Sequence, residues 1–129
     1  HDAILKPRRM DMWAVYYEHQ LDFDLTPYAR HVDAINFWTW YGQNIGKQNE
    51  NVKRLHAMPN VKKVVLGLYM WDFGNACPLT PAQMNAQFDN AEKLHDAGLI
   101  DAIILLASCL CDRDIEAISV SRRRIAAMR

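Results

Sequence analysis

Two carboxylates, Glu18 and Asp72, each follow a stretch rich in aromatic and β-prone residues, Trp13–Tyr17 in one case and Val64–Trp71 in the other. A third such stretch, 33–40, ends in Trp38 and Trp40. Tryptophan and tyrosine offer flat apolar faces for a sugar ring and keep an N–H or O–H free for its hydroxyls. Two carboxyl groups flanking a glycosidic bond can cleave it, at about 5 Å separation for retention or 6.5–9.5 Å for inversion. One of the pair must hold its proton, which a partly apolar, tryptophan-walled pocket favours. The expected catalytic pair is therefore Asp72 and Glu18. The expected sugar-binding set is Trp38, Trp40, Trp71, Tyr17, Tyr69 and His19, with Gln43 and Ser108 at the same strand ends.

Each assignment has a plainer counterpart. Asp72 can serve as a cap for backbone N–H groups of the loop that follows it. Glu18 can be a solvated or ion-paired loop residue, His19 a hydrogen-bonding one, and the tryptophans core. A metal-dependent hydrolase built on His19 and Asp72 is a further alternative, but the clustered His pairs of such sites are missing from the sequence. No metal and no cofactor is therefore expected. Gly42, Gly46, Gly67 and Gly74 form no phosphate-binding pattern, and no G-x-S-x-G nucleophile motif occurs. The C-x-C pair Cys109 and Cys111 reads as small core residues on one strand face, and the odd total of three cysteines argues against a disulfide framework.

The elements that must position these residues alternate regularly. Strands are expected to start near residues 12, 34, 63 and 102, in the order βαβαβαβα. Thr26-Pro27 and Thr80-Pro81 read as helix starts, with Thr at the cap and Pro at the first turn. Ile45, Val52, Leu55 and Met58 make one helical stripe, and Met84, Phe88, Ala91 and Leu94 another, which Gly98 closes. Asp112 or Asp114 is expected to cap a last helix with Ile115, Ile118, Ile125 and Met128 inward, and Arg122-Arg123-Arg124 on its solvated face. Apolar strands separated by helices imply an α/β fold with a parallel sheet and right-handed crossovers. Four βα units make half of a TIM (β/α)8 barrel, which needs about 250 residues. A complete four-stranded doubly wound sheet is the alternative. Asp33 and Asp101 precede strands, at the pole opposite the site, where fold stability is the expected role.

The 129 residues have the length of one domain. Fifteen Lys plus Arg balance fifteen Asp plus Glu, so no overall field draws nucleic acid or an anionic membrane surface. No apolar run reaches the roughly 18–20 residues of a membrane span. The chain opens on His1-Asp2 without Met or an apolar leader, which reads as a piece of a longer polypeptide whose compartment stays open.

Two motifs carry a resemblance: Leu66-Gly67-Leu68-Tyr69-Met70-Trp71-Asp72-Phe73-Gly74, and Ile100-Asp101-Ala102-Ile103-Ile104-Leu105-Leu106-Ala107-Ser108-Cys109-Leu110-Cys111-Asp112. With the tryptophan-bearing strand Asp33–Trp40, they resemble a bacterial family of uncharacterised glycoside-hydrolase-like TIM-barrel proteins, matched over its C-terminal half from about Met12 onward. The resemblance implies the barrel fold and a carbohydrate ligand. It supplies no catalytic residues. With only half a barrel present, the expected partner is the missing N-terminal half or a second copy of the chain.

Overall fold

The structure is a computed structural model that describes residues 3–106 and 108–128. Its main sheet has four strands, β1 (Trp13–Tyr17), β2 (Ala34–Trp38), β3 (Val64–Tyr69) and β6 (Ala102–Leu106), in that spatial order. All three pairings are parallel. The intervening helices are α1 (Thr26–Ala29), α2 (Gln48–His56) and α3 (Pro81–Asp96), and α4 (Glu116–Ala127) follows β6. The order runs without reversal, so the doubly wound alternative, which needs a switch point, does not apply.

The register sorts the strand residues into two faces. Tyr16, Ile35, Phe37, Leu66 and Leu68 share one face and are buried in a single core with Val52 and Leu55 of α2 and with Met84, Phe88 and Leu94 of α3. Val15, Tyr17, Asn36, Trp38, Val65, Gly67, Tyr69, Ile104 and Leu106 lie on the other face. The alternation of side chains along each strand thus gives the sheet one face that packs with α2 and α3 and another that bears the aromatics.

Local chemistry sets the element ends. Thr80 caps α3 by accepting from Gln83 N, and the Gln83 side chain accepts from Thr80 N in return. Gly98 takes φ +68° after α3, and Leu99 N donates back to Leu94 O at 2.9 Å. At the start of α1 the capping carboxylate is Asp24, accepting from Thr26 N at 2.9 Å, rather than the Thr26 side chain. Asp33 and Asp101 act alike at the pole below the strands. Asp33 N donates to Met12 O and its carboxylate accepts from Met12 N at 2.9 Å. Asp101 N donates to Val64 O and its carboxylate accepts from Val64 N at 3.1 Å. Each aspartate thus clips the start of the preceding strand, as its place before a strand predicts. The hydrogen bond from Lys6 leads the causes that hold the Asp33 carboxyl below its ordinary value.

Several expectations are corrected. An antiparallel pair, β4 (Trp71–Asp72) with β5 (Cys77–Pro78), interrupts the loop after β3; it is two residues long and separate from the main sheet. Cys109 and Cys111 are exposed and not in a strand, because β6 ends at Leu106 and the chain turns into a short 3-10 helix, Ser108–Leu110. This loop repeats the one after β1, where the 3-10 turn Glu18–Gln20 leads to α1. Asp22-Phe23-Asp24-Leu25 and Asp112-Arg113-Asp114-Ile115 occupy equivalent places, a spacing that marks the strand end. In α4, Ile115 rather than Asp112 or Asp114 stands at the N-cap, and the inward residues are Ala117, Ile118, Val120 and Ser121. Ile125 and Met128 are exposed. Arg124 turns toward α3 instead, donating to Asp89 and to Glu92 at 2.6 and 2.8 Å with its guanidinium over the Phe88 ring.

Candidate functional site

The loops at the C-terminal ends of β1, β2 and β3 converge on one segment, Trp40–Asn44. Glu18 reaches it from the β1 side. Its Oε1 accepts from Trp40 N at 3.1 Å, from Tyr41 N at 3.2 Å and from Asn44 Nδ2 at 3.1 Å. Asp72 reaches it from the β3 side and is only 5 % exposed. Its Oδ2 accepts from Gly42 N at 3.0 Å and Asn75 Nδ2 at 2.8 Å, and its Oδ1 from Asn75 N at 3.1 Å. The two carboxylates therefore take the N–H groups of three consecutive residues, 40, 41 and 42. Gly74 N donates to Trp40 O at 3.2 Å and Asn75 Nδ2 to Gln43 Oε1 at 2.8 Å, which ties the third loop to the second. The Tyr16 phenol, donating to Gln20 O and Phe23 O, fixes the loop that carries Glu18.

Six rings form a continuous run above this frame. His19 stacks on Tyr17 at 5.5 Å and 8°, Tyr17 meets Trp40 edge-on at 5.4 Å, and Trp40 leans on Phe73 at 5.3 Å. Phe73 contacts Tyr69 at 4.6 Å, and Tyr69 contacts Trp38 at 4.5 Å. Exposure grades along it: Trp38 and Tyr69 are buried, Tyr17 and Trp40 half-buried, and His19 and Phe73 exposed. The outer four can meet a ligand, and the inner two support them. Burial pushes the Tyr69 phenol well above its ordinary value, and the charge and hydrogen bond of Tyr17 add to the rise. Tyr69 is thus a neutral donor under ordinary conditions.

Of the expected binding residues, Tyr17, His19, Trp38, Trp40 and Tyr69 come together. Trp71 does not join the stack: it pairs with Pro78 in the hairpin and, among the described residues, makes no ring–ring contact. Gln43 is exposed and accepts from Asn75 through its Oε1, and the Ser108 side chain lies outside the described residues. Phe73 is the ring that sequence reasoning missed, although it follows Asp72 directly. Gln87 was also missed. It is buried on α3 and brackets the end of β3, its Oε1 accepting from Tyr69 N at 3.2 Å and its Nε2 donating to Tyr69 O at 2.9 Å. The pairing with β2 stops at Gly67, so this side-chain amide stands in for a strand. Gln87→Leu is expected to lower stability by about 2–3 kcal/mol in urea unfolding, the usual cost of stranding two buried backbone groups.

Among the described residues no three His, Cys, Asp or Glu side chains gather into a metal-holding group, and no helix is long and apolar enough to cross a membrane. No protein-family model matches the chain, and no match is found among curated proteins or solved structures. The glycoside-hydrolase-like resemblance accordingly rests on the sequence motifs alone.

Proposed function

We propose that the chain forms half of a (β/α)8 barrel and binds carbohydrate on the aromatic run at the C-terminal end of its strands. The observation that carries this reading is the graded platform itself: Tyr17, His19, Trp40 and Phe73 accessible, Trp38 and Tyr69 locked beneath them. Preset rings lose little conformational entropy on binding, and sugar recognition by stacking depends on such faces. The unreversed parallel order supports the half-barrel, whose ligands are held at this end.

Within this reading Glu18 and Asp72 hold the loop that displays Trp40. Hydrolysis is the second reading, favoured by the arrival of both carboxylates at one loop beside the platform. It would use carboxylate lone pairs that the N–H groups leave open, the Glu18 Oε2 among them, and it needs access to Asp72, which is almost wholly buried; the binding reading needs no such access. Titration of the chain with neutral oligosaccharides, followed by tryptophan fluorescence, tests binding, and release of reducing sugar tests turnover. Saturable binding without turnover is expected, with Asp72→Asn keeping affinity within about threefold, since an amide oxygen still accepts from Gly42 N. Wild-type turnover that falls a hundredfold or more in Asp72→Asn would establish the hydrolytic reading instead. No binding to any glycan would overturn both.

A further inference from the structure

We infer that two copies of this chain join edge to edge into one closed eight-stranded parallel barrel, β6 of each copy pairing with β1 of the other. The inference rests on the half-barrel reading above. Among the described residues β1 and β6 each have a strand neighbour on one side only. Exposed large apolar side chains gather at these two edges. Trp13 is 51 % and Val15 54 % exposed on β1, with Met10 and Met12 before them, and at the other edge Leu106 is 41 % and Met128 44 % exposed. The two central strands carry none: every residue of β2 and β3 is buried. Other exposed apolar side chains, Phe23 and Tyr28 among them, lie on loops and helices, but those along an unpaired strand edge mark an interface.

Charge selects the occupant. The turn ahead of β1 carries Arg8 and Arg9, both exposed. Beside the start of β6 lies a groove of about 490 Å³ lined by Glu92, His95, Asp96, Asp101, Ala102 and Met128. Both features sit at the pole where the strands begin, since Arg9 precedes β1 and Asp101 precedes β6. Glu92 already holds Arg124, so a parallel β6–β1 seam between copies sets the arginine pair against Asp96 and Asp101 on the rim of a largely apolar groove. Twofold symmetry repeats the seam, and two times four strands closes a barrel with no edge left. The Trp13 and Val15 side chains of each copy then fill the shared interior.

Sedimentation velocity on the 129-residue chain tests this. A single species of twice the chain mass is expected at micromolar concentration. Arg8→Glu with Arg9→Glu in one variant, and Asp96→Arg in another, should each weaken dimerisation at least tenfold, and mixing the two should restore a one-to-one heterodimer. These side chains are exposed, so unchanged melting curves at low concentration certify the folds. A persistent monomer would overturn the inference and assign the edges to the missing N-terminal half barrel or to another polypeptide. An open series of larger oligomers, variants that dimerise like wild type, or a mixture that stays monomeric would overturn it equally. A monomer that still binds oligosaccharide would refute the pairing alone, and a dimer without glycan affinity would refute the binding reading alone.

Discussion

Gly67→Ala should destabilise this fold by about 2–4 kcal/mol, in the direction opposite to strand propensity. Glycine inside a strand ordinarily costs about 0.5–1 kcal/mol relative to alanine, so propensity alone predicts a gain. Contact decides otherwise. A Cβ on Gly67 would lie 2.1 Å from Cδ2 and Cε3 of Trp38 and 2.4 Å from Cε2. The indole rests on the bare backbone of β3, is itself buried, and abuts Tyr69 at 4.5 Å. It cannot lift without moving Tyr69 and, through it, Phe73 and Trp40. Overpacking of this kind costs typically 1–3 kcal/mol and more where the neighbour is a packed ring. Denaturant titration of the single variant and of Gly67→Ala combined with Trp38→Leu checks the mechanism. The second change makes room, so the pair should be less destabilised than the sum of its parts. Additive losses would show that the indole does not depend on the glycine.

Much of this was legible in the sequence because the strands are nearly pure apolar runs and the helices carry clear stripes. Met84, Phe88, Ala91 and Leu94 recur at helical spacing and are all buried, as expected. The α4 stripe was misread for an identifiable reason. Ile125 and Met128 fit the spacing, but the inward position near the end of that helix is held by Arg124, whose partners Asp89 and Glu92 lie on α3 and leave no local trace. Trp71 beside Asp72 suggested one strand end carrying both functions. The chain instead turns after Tyr69, and among the described residues Trp71 makes no ring–ring contact, while Phe73 returns to the stack.

The carboxylates show where sequence reading reaches its end. A strand-end aspartate that caps a loop and one that cleaves a bond have the same neighbours along the chain. The loop-holding role shows only in the partners of the oxygens, Gly42 for Asp72 and Trp40 for Glu18, which are thirty and twenty-two residues away. Gln87 is hidden for the same reason. A glutamine on a helix reads as solvated, and only the strand it brackets makes it structural.

Trp40→Ala carries the largest expected effect on function. Trp40 is half-buried, and its ring lies between Tyr17 at 5.4 Å and Phe73 at 5.3 Å, with its own N–H and that of Tyr41 held by Glu18. The ring is therefore presented at a fixed angle to whatever lies on the platform. Removing it takes away one stacking face and loosens two others, so glycan affinity should fall roughly tenfold to a hundredfold, about 1.4–2.8 kcal/mol. The buried neighbour gives the contrast. Trp38→Ala empties a core position and should cost about 3–5 kcal/mol of stability, with loss of binding following the loss of fold. Trp71→Ala, outside the stack, should change affinity less than threefold, within the range of a residue that contacts no ligand. Glu18→Gln separates positioning from charge. If the carboxylate serves the platform by holding Trp40 and Tyr41, the amide should retain most affinity, while Glu18→Ala should lose it along with the order of Trp40, read as a shift in tryptophan emission. Affinity and melting temperature measured on all five variants together decide the matter: a platform predicts that binding follows Trp40 and spares Trp71, and equal losses at both would place the ligand on the hairpin instead.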